Sequence, residues 1–242
     1  MAALLKRLQL SSNPQQLGEM RLVATETWKQ DGRGGVDRET DDVTFYHAVP
    51  LELQATHNGH PLDAEARARQ QHAESATERR IDRVLAARTG QSAKLLNLDG
   101  EIWPLARFVA QFQWAVGTAT QRGTAVLEFR PGSRAPSHTR MQTLLRHTAG
   151  SFTVDAATGQ VISGEFHSLG HVNFGGGLLA HFTAFRGSFQ LQSIGGCWVM
   201  RRIEVHVDGR RLLHRIHGTE IITYAPAAAG AAAPAPAGHM SR

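Results

Sequence analysis

Thirteen histidines are the first residues of this 242-residue chain that invite a chemical reading. The tightest spacings join His167 to His171 and His214 to His217. Both pairs fall in segments that read as strands. Residues four apart on a strand share a face but sit ~13 Å apart along it, and residues three apart point to opposite faces. Ligands to one metal must converge on a single point, and neither pair belongs to a His-Glu-x-x-His helix or a Cys/His finger. No metal is expected, and the histidines read as surface or half-buried side chains.

Other reactive types are equally sparse. Cys197 is the sole cysteine, so no disulfide forms within the chain. Its apolar neighbourhood, Gly196-Cys197-Trp198-Val199, is that of a small core residue rather than a nucleophile beside a base. Gly175-Gly176-Gly177 lacks the Lys-Ser/Thr and the helix that a phosphate loop needs. No Gly-x-Ser-x-Gly elbow occurs. Asp41-Asp42 adjoins a turn and reads as solvated charge. Paired acid and base carboxylates stay open, because they need not be neighbours in sequence. No catalytic residue and no cofactor are expected.

Apolar surface is what remains. Phe112, Trp114, Leu127, Phe129, Phe182, Phe185, Phe189 and Trp198 are many large groups for one sheet. They fill a core or line a cavity, and both uses select the same residue types.

The elements that would position them read as follows. Residues 1–18 give a short helix, with Leu4, Leu5 and Leu8 at helical spacing, broken at Ser11-Ser12-Asn13-Pro14. Arg21 to Lys29 and a return through Val43, Phe45 and Tyr46 are strands about a turn at Asp31 to Gly35. Leu51 to Ala55 alternates up to an Asn58-Gly59 turn. Residues 63–88 form one long helix, N-capped by Asp63 and stopped at Thr89-Gly90, with bulk only at Ile81, Val84 and Leu85. A linker at 90–105 leads to a strand in which Phe108, Ala110, Phe112, Trp114 and Val116 share a face. Ala125, Leu127 and Phe129 share a face on the next strand, which ends at Pro131-Gly132. A helical turn is expected through Met141 to Leu145. Ser151 to Asp155, Gln160 to Ser168, Leu178 to Leu191 and a strand from Cys197 are β, with a turn at Gly195-Gly196. Asp208-Gly209 reads as a type I′ hairpin turn before a last strand from Arg210 to Tyr224. The sum is an α+β chain, mainly antiparallel, with about ten strands and the long helix inserted after the third.

Composition bounds the function. The chain is 41% hydrophobic and 19% charged, enough for a packed core. Net charge is +5, and the excess is arginine, since Lys occurs only at 6, 29 and 94. The basic residues are scattered, without the stripe and stacking aromatics of a nucleic-acid binder. No apolar run approaches a membrane span, and MAALLKRLQLSS lacks the long apolar region of a secretory signal. From Ala225 onward Ala, Pro and Gly predict disorder. This divides the chain into a leader at 1–19, a domain at 20–224 and a tail at 225–242.

Short segments in a particular order carry a family likeness. They are Asn58-Gly59-His60-Pro61-Leu62-Asp63, Phe129-Arg130-Pro131-Gly132, Phe152-Thr153-Val154-Asp155 with Gly159, Gly175-Gly176-Gly177-Leu178, Gly187-Ser188-Phe189, Trp198 and Asp208-Gly209-Arg210. With them the chain resembles the LolA/LolB-like superfamily of outer-membrane lipoprotein-sorting proteins, and most of all its envelope members other than the lipoprotein carriers. The resemblance implies a curved, half-open β-barrel closed by helices, an apolar cavity for a lipid or lipoprotein acyl chain, and a periplasmic location. On that reading Phe112, Trp114, Phe129, Phe182 and Phe189 line the cavity. Two rivals stand beside it. One is an interaction protein whose barrel is filled by its own side chains and whose partner meets a strand edge or the basic last hairpin (Arg201, Arg202, Arg210, Arg211, Arg215). The other is a hydrolase, which would require His, Asp and Glu gathered in one cleft.

Overall fold

The computed structural model describes residues 1–8, 20–30, 36–47, 49–87, 95–98, 101–118, 121–132, 139–174, 180–212 and 214–227. In chain order the elements are α1 (Ala2–Arg7), β1 (Leu22–Gln30), β2 (Val36–Tyr46), β3 (Val49–His57), β4 (His60–Pro61), α2 (Ala64–Ala86), β5 (Leu95–Leu98), β6 (Glu101–Pro104), α3 (Leu105–Val109), β7 (Phe112–Gly117), β8 (Thr124–Pro131), α4 (Arg140–Arg146), β9 (Thr148–Asp155), β10 (Val161–Ser168), β11 (Val172–Phe174), β12 (Ala180–Ile194), β13 (Cys197–Arg211) and β14 (His214–Pro226). Twelve strands form one antiparallel sheet in the order β4-β3-β2-β1-β14-β13-β12-β10-β9-β8-β7, with β11 pairing β12. Among the described residues nothing pairs β7 with β4 or β3, so the sheet ends in two edges and is not a closed barrel. β5 and β6 form a separate two-stranded sheet.

Sequential strands lie side by side almost throughout. The main exception is the pairing of β1 with β14, in register from Leu22↔Pro226 to Gln30↔Gly218, which brings the two ends of the sheet-forming chain together mid-sheet; β10 also lies beside β12 rather than β11. Tight turns follow the residues that tolerate positive φ. Asn58 and Gly59 (φ 50° and 78°) join β3 to β4, and Gly195 and Gly196 (φ 58° and 84°) join β12 to β13.

Five expectations change. Asp208-Gly209 is not a turn: β13 runs through it, Gly209 lies opposite Phe182, and a Cβ there would stand 2.4 Å from the His181 carbonyl oxygen. The glycine is needed for close approach of strands, and the chain reverses later, where Leu212 has φ 54°. Phe108 is not in a strand: Leu105 and Phe108 are the buried face of helix α3, and β7 begins only at Phe112. The stretch expected as a linker holds the β5–β6 hairpin. The strands number more than ten, because β4, β5, β6 and β11 are too short to announce themselves in the sequence. Ala225 and Pro226, expected in the tail, instead end β14 opposite Val23 and Leu22. The turn at 31–35, the Thr89-Gly90 stop, the triple glycine at 175–177 and the tail from 228 lie outside the described residues.

Helix α2 begins at Asp63, whose carboxylate accepts a hydrogen bond from the Ala66 amide at 2.7 Å. It docks by its C-terminal half, with Ile81 fully buried against Val49 and Leu51 and with Leu85 alongside. Among the described residues no helix is long and apolar enough to cross a membrane. Helices α1, α3 and α4 gather on the far wing of the sheet. There Leu8, Leu105, Phe108 and Leu145 join Phe112, Leu127, Phe129 and Phe152 in one buried cluster. The α4 N-terminus is closed by a reciprocal box in which the Thr139 hydroxyl accepts from the Gln142 amide and the Gln142 side chain accepts from the Thr139 amide. Glu101 ties this cap to the wing, accepting from Thr139 Oγ1 at 3.2 Å and from the indole nitrogen of buried Trp103 at 3.0 Å. A second cluster, around Leu22, Ala24, Val43, Cys197, Val199 and Tyr224, holds the sheet centre.

Candidate functional site

Successive side chains on a strand alternate faces, and residues opposite in register share one. On the apolar face of β8, β9, β10, β12 and β13 this places two neighbouring rows. One reads Leu127, Phe152, Gly164, Phe189, Ile203, and the other Phe129, Gly150, Phe166, Gly187, Val205. Phenylalanine and glycine therefore alternate like the squares of a board. Each ring occupies the space above a glycine on the next strand. A Cβ on Gly150 would stand 2.8 Å from the Phe129 ring, one on Gly164 2.5 Å from Phe189, and one on Gly187 2.4 Å from Phe166.

The rings also pack on each other. Centroid separations are 4.9 Å for Phe112–Phe129, 5.1 Å for Phe129–Phe152, 5.5 Å for Trp114–Phe129 and 5.7 Å for Phe152–Phe189, all within the range of favourable aromatic pairs. The indole of Trp114 is fixed by a 2.9 Å hydrogen bond to the Val109 carbonyl at the end of α3. Four of the five residues expected to line a cavity are thus brought together: Phe112, Trp114 and Phe129 touch one another, and Phe189 joins them through Phe152. Phe182 stands apart, edge-on to Phe174 at 5.8 Å and over Gly209. Phe152, Phe166 and the glycines beneath the rings are not among the residues expected at the site. Their signal is a Gly-x-Phe triplet found three times, at 150–152, 164–166 and 187–189.

The opposite face of the same strands is polar, and a groove of about 600 Å3 opens on it. Its floor is made of small residues, Ala149, Gly150 and Ser151 on β9 and Gly187 and Ser188 on β12. Its walls are longer side chains on the intervening strands. One row across the sheet reads Glu128, Ser151, Glu165, Ser188, Glu204, and the next carries Ala149, His167, Arg186, His206, Thr219 in direct register. Of the five expected lining residues only Phe129 borders this groove. Glu204 pairs with Arg202 at 2.8 Å, and Asp208 with His217 at 3.5 Å. Among the described residues Glu128, Arg130, Glu165 and Arg186 have no ion-pair partner.

A third grouping was legible only as a possibility. Where β14, β1, β2 and β3 adjoin, Glu26, Glu39, Asp41, Glu52 and Glu220 come together. Burial pushes the Glu26 carboxyl up to about 8, helped by a hydrogen bond with Glu220 and by the charges of Glu220, Glu39 and Asp41. Asp41 rises to about 6, from burial first and then Glu52, Glu39 and Asp42. One oxygen of Asp41 is sealed from solvent with no hydrogen-bond partner, so Asp41 is not the solvated charge expected of it, although Asp42 is exposed. The Tyr224 hydroxyl donates to Glu52 at 2.9 Å, and burial followed by the Glu52 charge raises its pKa too. Among the described residues no serine is hydrogen-bonded to a histidine, and no three His, Cys, Asp or Glu side chains are placed to hold a metal.

No family model matches the sequence, and no curated protein matches it either. Among solved structures the chain is similar to one from Vibrio parahaemolyticus described as an outer membrane lipoprotein-sorting protein domain. The two share 11% identity over 93% of this chain and 88% of that one, with a TM-score of 0.39. It is also similar to a chain of the MucA/MucB complex of Pseudomonas aeruginosa, at 10% identity over 94% of this chain and 99% of that one, with a TM-score of 0.23. Neither score reaches the level of a common fold, and neither sets a function for this chain.

Proposed function

We propose that this chain is a non-catalytic binding protein of the cell envelope whose apolar interior is filled by its own side chains and whose ligand meets the polar face of the sheet. The observation that carries this reading is the Phe/Gly alternation. Rings seated on glycines and on one another occupy the volume that an acyl chain would need. The open volume lies on the other face, between charged walls. The envelope location rests on the resemblance of the sequence to lipoprotein-sorting proteins.

Acyl-chain uptake tests the reading. Titration of the full chain with a fluorescent fatty acid is expected to show no saturable one-to-one binding, in the native protein and in Trp114→Ala alike. Stoichiometric uptake that Trp114→Ala abolishes in a folded protein would restore the apolar-ligand reading in its place.

A further inference from the structure

We infer that the groove on the polar face is an oxyanion site centred on Arg186, built for the phosphate group of a hydroxyl-bearing ester. This deepens the proposed function and rests on it.

Register supplies the first reason. His167 on β10, Arg186 on β12 and His206 on β13 stand directly opposite one another on three adjacent strands. Side chains so placed are about 5 Å apart at Cβ, close enough for three donors to converge on one anion, and like charges there repel unless something lies between them. No carboxylate of the described residues reaches Arg186. His206 is held from one side, its Nδ1 3.1 Å from the Thr219 hydroxyl, which leaves the other ring nitrogen for a ligand. Arg130, two residues from Glu128 on the same groove wall, adds a second guanidinium.

The second reason is the floor. Ala149, Gly150, Ser151, Gly187 and Ser188 give the row an open approach, where larger side chains would cover it. A phosphate offers three acceptor oxygens and close to two negative charges, and so matches a row of three donors better than a single carboxylate does. Beside that row, one step of about 6.6 Å along the strands, runs the row of Glu165 and Ser188. Carboxylates accept hydrogen bonds from hydroxyls, so a ligand with its phosphate on Arg186 presents its hydroxyls there.

The charged and titratable groups that face the row are Glu128 and Arg130 from β8, Glu165 from β10, Glu204 and Asp208 from β13, and His217 from β14; β9 contributes none. Glu204 and Asp208 are already engaged by Arg202 and His217.

The test follows the imidazole signals of the full chain by NMR during titration with inorganic phosphate, with glycerol 3-phosphate and with sulfate. Saturable shifts of His167 and His206 are expected. They should be about tenfold weaker in Arg186→Gln and unchanged in Arg201→Gln, which removes an equal charge outside the groove. Sedimentation with phosphatidylcholine vesicles containing phosphatidylglycerol separates two sources of the phosphate. Binding lost in Arg186→Gln assigns a lipid headgroup, and binding of glycerol 3-phosphate without vesicles assigns a soluble ester. Shifts that never saturate, or an Arg186→Gln protein that binds as the native one does, would overturn the site. Acyl-chain uptake would overturn the filled interior instead, so the two failures are distinct.

Discussion

Gly164 has no room for a side chain. A Cβ there would stand 2.5 and 2.6 Å from two atoms of the Phe189 ring and 2.8 Å from Phe152, all in a buried position. Overpacking of this kind costs about 1–3 kcal/mol. Gly164→Ala should therefore lower the urea midpoint. The same change beside Phe189→Leu should cost roughly half as much or less, because the obstructing ring edge is gone. Additive costs in that double-mutant cycle would mean that ring and glycine are not coupled. The pairing was half legible in the sequence. Phe129 and Phe189 stood out as large apolar groups, but their partners are glycines on other strands. The recurring Gly-x-Phe triplet identifies those glycines only once the register is known, and one residue of slip would place every ring on the other face.

At the scale of elements, the adjoining strands β1 and β14 carry a titrating pair. Glu26 and Glu220 share a hydrogen bond that requires a proton, and the folded Glu26 holds it up to about pH 8, against an ordinary value of 4.5. Between those two values the folded state binds more protons than the unfolded chain, so stability falls as pH rises through the window. Glu26→Gln keeps the hydrogen bond without the proton. It is expected to leave stability at about pH 5 little changed and to raise it by about 1–2 kcal/mol at about pH 9, after allowance for partial exposure. Urea unfolding across this range checks it, and parallel curves for the two proteins would contradict it. The sequence could not show this pair, because it depends on a β1–β14 pairing that spans most of the chain. Local signals served better. Asp63, Asn58-Gly59 and Gly195-Gly196 act where they stand, in a cap and two turns. Asp208-Gly209 misled because the same dipeptide serves a turn or a close strand contact. Phe108 misled because period-two alternation over Phe108, Phe112 and Trp114 also fits a helical turn running into a strand.

Over the whole molecule, the open sheet divides its labour between two faces. On the far wing, α1, α3 and α4 join the apolar face in the cluster that the Phe/Gly rows complete. The other face carries α2 on β3, and over β8 to β13 alternation of small and charged residues from strand to strand cuts a groove into it. The sequence showed that many aromatics share one sheet, but the choice between core and cavity depended on what fills the space between rings, and glycines leave no hydrophobic signal. The most direct measurement is native mass spectrometry of the full chain purified from cells, with lipid extraction of the same sample. A filled interior requires a mass without bound fatty acid or phospholipid acyl chains, in the native protein and in a folded Phe189→Leu variant. A co-purified acyl lipid at one per chain, diminished by Phe189→Leu, would contradict it.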